Sequence, residues 1–194
     1  MTDEHTVIGI DLGGTKIAAA RYSVSNWSLQ EELRVDTNAE QGFQYVHEAL
    51  AETVENLRTD STKAVGVGVP GLVKQPGGEI HTLPNIPGAE GSVLGKTLYE
   101  STGLPCTVDN DANCFALAEA STDSCKDYRV VVAVTMGTGV GGGIVIDGKL
   151  FTGSQGFAGE IGHMLLCPGS PPYTTDDKRG DTGLLYTSHA ADDA

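Results

Sequence analysis

The sequence has little positive charge: 12 lysines and arginines stand against 26 acids, which gives a net charge of −14. Such a chain has no basic stripe to neutralise phosphates, which argues against nucleic acid or an anionic membrane as a partner. No apolar run reaches the length of a transmembrane helix, and the acidic first five residues lack the start of a signal peptide. The cysteines show no CxxC spacing, which favours free thiols: Cys106, Cys114, Cys125 and Cys167. These absences predict a cytoplasmic protein.

Glycine, in contrast, is abundant, with 26 residues gathered into clusters. Two clusters, at residues 13–16 and 137–143, separate short apolar runs, a pattern typical of β-hairpins. Because strand, glycine turn and strand occur twice, we expect two related domains with a cleft between them. Between the hairpins the pattern predicts these elements: strands at 28–37 and 64–69, helices at 41–57 and 93–102, a loop at 74–92, and a strand and helix at 106–120.

The second hairpin, with strands at 128–136 and 144–146, has no helix after it to cover its sheet. A sheet of this kind cannot bury both faces by itself. We therefore expect either that the chain is a fragment or that another molecule covers the sheet.

Four polar residues in five, at positions 109–113, join a buried strand to a run of helix formers. Asp and Asn cap helix N-termini, so a capped helix with one spare acid is one interpretation. The density of polar groups exceeds what a cap requires, and ligands bind at the carboxyl ends of strands in α/β sheets. A carboxylate here could accept a proton from a substrate hydroxyl.

The glycine turns suit phosphate binding, because glycine lets backbone N–H groups approach anionic oxygens. An ordinary hairpin with Asp11 and Lys16 exposed is the alternative, and the occurrence of two similar turns favours phosphate. A dinucleotide fingerprint is excluded, since a strand and not a helix follows residues 137–143, and no Walker A sequence occurs.

Glu160 and His163, three positions apart, could bind sugar hydroxyls, or His163 could ligate a metal. A structural Glu beside a hydrogen-bonded His is the alternative.

Several motifs in order resemble the ROK family of bacterial sugar kinases, which has the actin-like ATPase fold. They are DLGGTK at 11–16, GVGVPG at 66–71, LPNIPG at 83–88, DNDANCFALAEA at 109–120, GTGVGGGIVIDGKLFTG at 137–153 and GEIGHM at 159–164. The resemblance implies an α/β, ribonuclease H-like architecture of two domains, the second incomplete. It divides the chain into a domain with the sugar-binding and catalytic residues at 1–120, a partial domain with the second phosphate loop at 121–166, and a disordered or artefactual non-family tail at 167–194.

The resemblance also implies ATP-dependent phosphorylation of the C6 hydroxyl of an amino sugar, foremost N-acetyl-D-glucosamine, with Mg²⁺. Asp111 would be the catalytic base. The sugar ligands would be Asn85, Asn110, Asp111, Glu160 and His163. The nucleotide ligands would be Asp11 (toward Mg²⁺), Gly13, Gly14, Thr15, Lys16, Gly137, Thr138 and Gly139. Phosphorylation of glucose or N-acetylmannosamine, or sugar binding without catalysis, remain alternatives. The family also implies a homodimer for the full-length protein.

Two departures from the family bear on these expectations. Family members use His163 with a cysteine cluster to bind structural zinc, but only Cys167 follows here, too few ligands for a closed site. Residues 179–190 resemble no part of the family and suggest translated foreign DNA. We therefore expect the 194-residue chain to fold poorly in its second half and to have little kinase activity. A family regulator is disfavoured, since only six residues, too few for a DNA-binding helix-turn-helix, precede Val7.

Overall fold

The computed structural model describes residues 5–137 and 139–163. By their contacts the residues form two compact units, the first ending at Asp111 and the second beginning at Ala112. The domain boundary expected near residue 120 stays a prediction, as does the non-family tail at 167–194, which lies outside the described residues. None of the helices within 5–137 and 139–163 is long and apolar enough to cross a membrane.

The first unit is built on a five-stranded sheet with two helices. The strands of that sheet are β1 (Thr6–Leu12), β2 (Lys16–Ser23), β3 (Leu29–Asp36), β4 (Thr62–Val69) and β7 (Cys106–Asn110). Two further strands, β5 (Leu72–Lys74) and β6 (Glu79–Thr82), form a separate sheet. Helix α1 (Phe43–Leu57) precedes β4, and helix α2 (Leu94–Thr102) precedes β7. The predicted α/β class is confirmed, and the strands and helices that were predicted in this unit occur in the expected order.

The large sheet has the strand order β3-β2-β1-β4-β7. Strands β1, β2 and β3 form an antiparallel meander, whereas β4 lies parallel to both β1 and β7. Parallel neighbours need a crossover connection, which α1 provides before β4 and α2 provides before β7. The carboxyl ends of β1, β4 and β7 therefore lie along one edge of the sheet.

Alternate residues of the central strand and one stripe of α1 make the core. The buried apolar side chains of β1 are Ile8, Ile10 and Leu12. Those of α1 recur at the helical spacing expected from the sequence: Val46, Leu50, Val54 and Leu57. All belong to one hydrophobic cluster, which fixes the helix against the sheet.

The predicted loop at 74–92 is wrong in part, since β5 and β6 form an antiparallel hairpin there. These strands have three and four residues, too few for a periodic pattern among the glycines and prolines. An ion pair between Lys74 Nζ and Glu79 Oε1, 2.8 Å apart, joins the ends of the two strands.

The second unit contains a helix and a three-stranded antiparallel sheet of order β10-β9-β8. Its elements are α3 (Asp111–Ala120), β8 (Val130–Met136), β9 (Val140–Ile146), β10 (Lys149–Leu150) and a 3-10 helix at Ile161–His163. Helix α3, counted with the first domain from the sequence, thus lies against this sheet and covers part of it. The strand-turn-strand repeat is confirmed, since β8 and β9 pair as β1 and β2 do.

The glycines at 141–143 belong to β9, so the turn predicted at 137–143 is wrong in extent. A Cβ atom on Gly143 would lie 2.5 Å from the Ala116 Cβ atom of α3, and one on Gly142 would lie 2.8 Å from the Gly159 carbonyl oxygen. Glycine is needed here because α3 and residue 159 approach the strand closely, which the sequence alone does not distinguish from a turn.

Candidate functional site

The carboxyl edge of the first unit's sheet brings together acids from two motifs that are far apart in sequence. Asp11 of β1 is in register with Gly68 of β4, and Gly68 is in register with Asp109 of β7. Neighbouring strands lie about 4.8 Å apart, so roughly 10 Å separates the backbones at Asp11 and Asp109. The glycine turn leaves the sheet at this edge after Leu12, and α3 begins here at Asp111.

The turn at residues 13–15 is closed by backbone hydrogen bonds. The Gly13 N–H donates to the Lys16 carbonyl oxygen at 2.9 Å, and the Thr37 N–H donates to the Thr15 carbonyl oxygen at 2.8 Å. The Thr37 hydroxyl donates to the Gly13 carbonyl oxygen, also at 2.8 Å. The N–H groups of Gly14 and Thr15 donate to no other described residue, and they can serve as donors to an anion.

The sequence suggested glycine in this turn because glycine lets backbone N–H groups approach an anion, and the structure shows in addition how much space each glycine has. Neither Gly13 nor Gly14 has a positive φ. A Cβ atom on Gly13 would lie 2.9 Å from the Lys16 carbonyl oxygen, and one on Gly14 would lie 3.1 Å from Asn85 Nδ2. Lack of space therefore selects glycine at Gly13, where the neighbour is backbone. At Gly14 the neighbour is the exposed side chain of Asn85, the predicted sugar ligand, which would have to shift by a few tenths of an ångström.

The loop that carries Asn85 is anchored by apolar side chains. Leu83 and Ile86, on either side of Asn85, are buried in the core, whereas Asn85 itself is exposed. The Phe43 N–H at the start of α1 donates to the Pro87 carbonyl oxygen at 2.9 Å. The loop is therefore held in place by its apolar side chains, and the polar amide of Asn85 lies beside the turn.

The ammonium of Lys16 is engaged by an acid of the neighbouring strand. Lys16 Nζ lies 2.9 Å from Asp36 Oδ1, and both side chains are about two-thirds exposed. The hydrogen bond from Lys16, with its charge, lowers the pKa of the Asp36 carboxyl. An exposed pair of this kind adds little to stability, so Lys16 can exchange Asp36 for another anion at small cost.

Side-chain hydrogen bonds fix the end of β7. Asp109 Oδ1 accepts the Asn110 N–H at 2.7 Å, and Asp109 Oδ2 accepts Gln75 Nε2 at 3.2 Å. Asn110 Nδ2 donates to the Gly71 carbonyl oxygen at 3.1 Å. Asp109 thus acts as an acceptor within the protein, whereas Asp111, the first residue of α3, is exposed.

Gln75, Gly71 and Thr37 are site residues that sequence reasoning missed. Gln75 is 34 positions from Asp109, and Thr37 is 24 positions from Gly13. Gly71 ends the GVGVPG motif, to which no chemical role was given, and Gln75 and Thr37 lie outside the motifs, so only the fold reveals their contacts.

The second glycine turn lies in the second unit. The Gly137 N–H donates to the Gly139 carbonyl oxygen at 2.9 Å, and both glycines are exposed. No described atom lies within 4 Å of a Cβ atom built on either residue, so an anion has room to approach. Thr138 lies outside the described residues.

Glu160 directly precedes the 3-10 helix of the second unit, Ile161–His163, which ends at His163. Glu160 is half-buried, and it follows Gly159, whose φ of 96° is in the left-handed region. The His163 ring lies outside the description, and so does Cys167. Within 5–137 and 139–163 no three His, Cys, Asp or Glu residues form a group that could hold a metal, so zinc stays a prediction.

The fold is of the α/β class, and the polar edge at the ends of its parallel strands is where such folds bind ligands. The sequence profile of the ROK family matches residues 7–178. Over 160 residues the chain is 41% identical to a Salmonella arizonae protein named N-acetyl-D-glucosamine kinase, covering 81% of this chain and 52% of that protein. The match to the profile extends past residue 166, where the resemblance was expected to end.

Two solved structures are similar to the chain. A ROK hexokinase from Thermus thermophilus superposes with a TM-score of 0.74 at 39% identity, over 86% of this chain and 55% of that one. A ROK family glucokinase from Streptomyces griseus, solved with glucose and AMPPNP, gives 0.72 at 32% identity, over 84% and 51%. The chain belongs to the ROK family and has its actin-like ATPase fold. It spans about half the length of the curated relatives it matches.

Proposed function

We propose that the protein phosphorylates the C6 hydroxyl of an amino sugar with ATP, N-acetyl-D-glucosamine being the first candidate. The observation that carries the proposal is the sheet edge at which Asp11, the turn at 13–15 and residues 109–111 occur together, with Asn85 against the turn. The names of the relatives support the reaction class, and the name of the 41% identical relative supports the amino sugar.

In this proposal Asp111 accepts the proton of the C6 hydroxyl as the oxygen forms its bond to the γ-phosphorus and the bond to ADP breaks. A placed carboxylate contributes about 10²–10⁴-fold to such a step. Asn85 and Asn110 hold the sugar hydroxyls so that the attacking oxygen is in line with the leaving group. Glu160 and His163 add further hydroxyl contacts.

The phosphates would be held by the N–H groups of Gly14 and Thr15 and by the Lys16 ammonium. The second turn, with Gly137, Thr138 and Gly139, would also bind phosphate. Asp11 is exposed at the end of β1 and offers carboxylate oxygen, the ligand that Mg²⁺ prefers. Bound Mg²⁺ would neutralise charge on the phosphates. Zinc at His163, the homodimer and the cytoplasmic location stay predictions.

Two measurements test the proposal. ADP release is followed with N-acetylglucosamine, N-acetylmannosamine and glucose, on the protein read from its locus through the natural stop codon. We expect release to depend on sugar and to be fastest with N-acetylglucosamine. If none of the three sugars stimulates ADP release, the proposed kinase activity is wrong. If another sugar has a higher kcat/KM, the proposed substrate is wrong.

The second measurement is calorimetric titration of the 194-residue chain with the sugar and with AMPPNP plus Mg²⁺. Heat from both ligands supports the proposed site. Heat from the sugar alone would indicate a sugar-binding fragment without catalysis, an alternative that the chain's span of half its relatives keeps open.

A further inference from the structure

Thr37 connects the end of β3 to the first glycine turn and lies outside every motif named above. It has no solvent exposure. Its hydroxyl and its backbone N–H both donate to the turn, to the carbonyl oxygens of Gly13 and Thr15, each at 2.8 Å. One buried residue therefore orients two of the three peptide carbonyls between β1 and β2.

The direction of those carbonyls matters for an anion. A peptide carbonyl oxygen is partly negative and repels phosphate, whereas N–H groups pointing outward in a turn attract it. Since the Gly13 and Thr15 carbonyls point to a fully buried residue, they face the protein interior. The N–H groups of Gly14 and Thr15 donate to no other described residue and can point outward.

We propose that Thr37 is a positioning residue for nucleotide binding, which holds the two carbonyls inward so that the Gly14 and Thr15 N–H groups meet a phosphate. This inference rests on the proposed function. Thr37 itself touches neither substrate, because it lies beneath the turn.

The chain offers a matched control for a purely structural role. Thr53 in α1 is 2% exposed, and its hydroxyl donates to the Ala49 carbonyl oxygen at 2.7 Å. The variants Thr37→Val and Thr53→Val each remove one buried hydroxyl that donates to a backbone carbonyl, at nearly constant volume. Thr37→Ser keeps the hydroxyl and removes only a methyl group.

Calorimetric titration of each variant of the 194-residue chain with AMPPNP plus Mg²⁺, and separately with N-acetylglucosamine, gives the readout. We expect Thr37→Val to weaken nucleotide binding about three- to tenfold, the usual effect of one lost hydrogen bond. Thr37→Ser is expected to restore the wild-type Kd, and Thr53→Val to leave it unchanged while lowering Tm. The sugar Kd is expected to be unchanged in all three.

Equal nucleotide affinity in Thr37→Val and wild type would overturn the inference, and so would an equal loss in Thr53→Val. If the wild-type chain binds no nucleotide, the proposed nucleotide site fails and the positioning role is judged separately. The readout is then amide hydrogen exchange of Gly13, whose N–H closes the turn. Faster exchange in Thr37→Val than in Thr53→Val would support the role, and equal exchange would overturn it.

Discussion

Alanine at Gly143 tests the close packing of α3 on β9. The new Cβ atom would lie 2.5 Å from Ala116 Cβ, 3.0 Å from the Ala112 carbonyl oxygen and 3.2 Å from Asn113 Cα. Non-bonded carbon atoms prefer 3.5–4.0 Å, so the helix has to retreat by roughly 1 Å. Overpacking of this kind costs about 1–3 kcal/mol, and the loss falls on the helix that begins with Asp111.

The measurement is urea dependence of amide exchange in β9, because the single tryptophan, Trp27, lies in the first unit and does not report on the second. Gly139→Ala is the control, since nothing described lies within 4 Å of its Cβ atom, and we expect no loss of stability from it.

A second variant locates the cause of the destabilisation. Ala116→Gly removes the closest atom at the price of about 1 kcal/mol for glycine in a helix. The double variant Gly143→Ala with Ala116→Gly is expected to lose less stability than the two single variants lose together, by about 1 kcal/mol. Unchanged exchange in Gly143→Ala, or strict additivity in the double variant, would refute the close approach.

Three further predictions concern the first unit. In an NMR titration the pKa of the Asp36 carboxyl should lie below its ordinary value of 3.8, and it should return to that value in Lys16→Gln. The stability that the ion pair with Lys16 contributes is present above pH 3.8 and is lost as the pH falls through the lowered pKa. An ordinary Asp36 pKa in the wild-type protein would contradict the ion pair. Burial raises the pKa of the Cys106 thiol to about 11, so at pH 8 iodoacetamide should modify exposed Cys114 first, and equal rates would be inconsistent with that burial. Gly71→Ala would place a methyl group on a neighbouring carbonyl oxygen, and we expect a loss of about 1–3 kcal/mol in urea denaturation; a wild-type midpoint would show that the hairpin yields freely.

Much of the fold follows from periodicity. The apolar spacing of residues 43–57 matched the helix, because one buried stripe at intervals of 3.6 residues has few other interpretations. The two hairpins followed from glycine clusters between short apolar runs. The short hairpin of β5 and β6 was not predicted, because strands of three or four residues are too short to show an alternating hydrophobic pattern.

The candidate site was predictable in its residue types but not in its supports. Asp11, Asn85 and Asp111 stand in motifs that resemble those of the ROK family, and the roles proposed for them come from that resemblance. Thr37 and Gln75 make contacts that arise only when distant strands pair in one register. The glycines of β9 were predicted as turn residues, because a sequence does not show which helix will press against a strand.

The two acids that flank Asn110 provide the most direct test of the account. Turnover and sugar affinity are measured for Asp111→Asn and Asp109→Asn in the protein read through its natural stop codon. We predict that Asp111→Asn lowers kcat by about 10²–10⁴-fold while sugar binding is retained. Asp109→Asn, at a residue whose oxygens accept hydrogen bonds from the Asn110 N–H and from Gln75, is expected to lower kcat less. Wild-type turnover in Asp111→Asn, or a larger loss in Asp109→Asn, would contradict the assignment of Asp111 as the catalytic base.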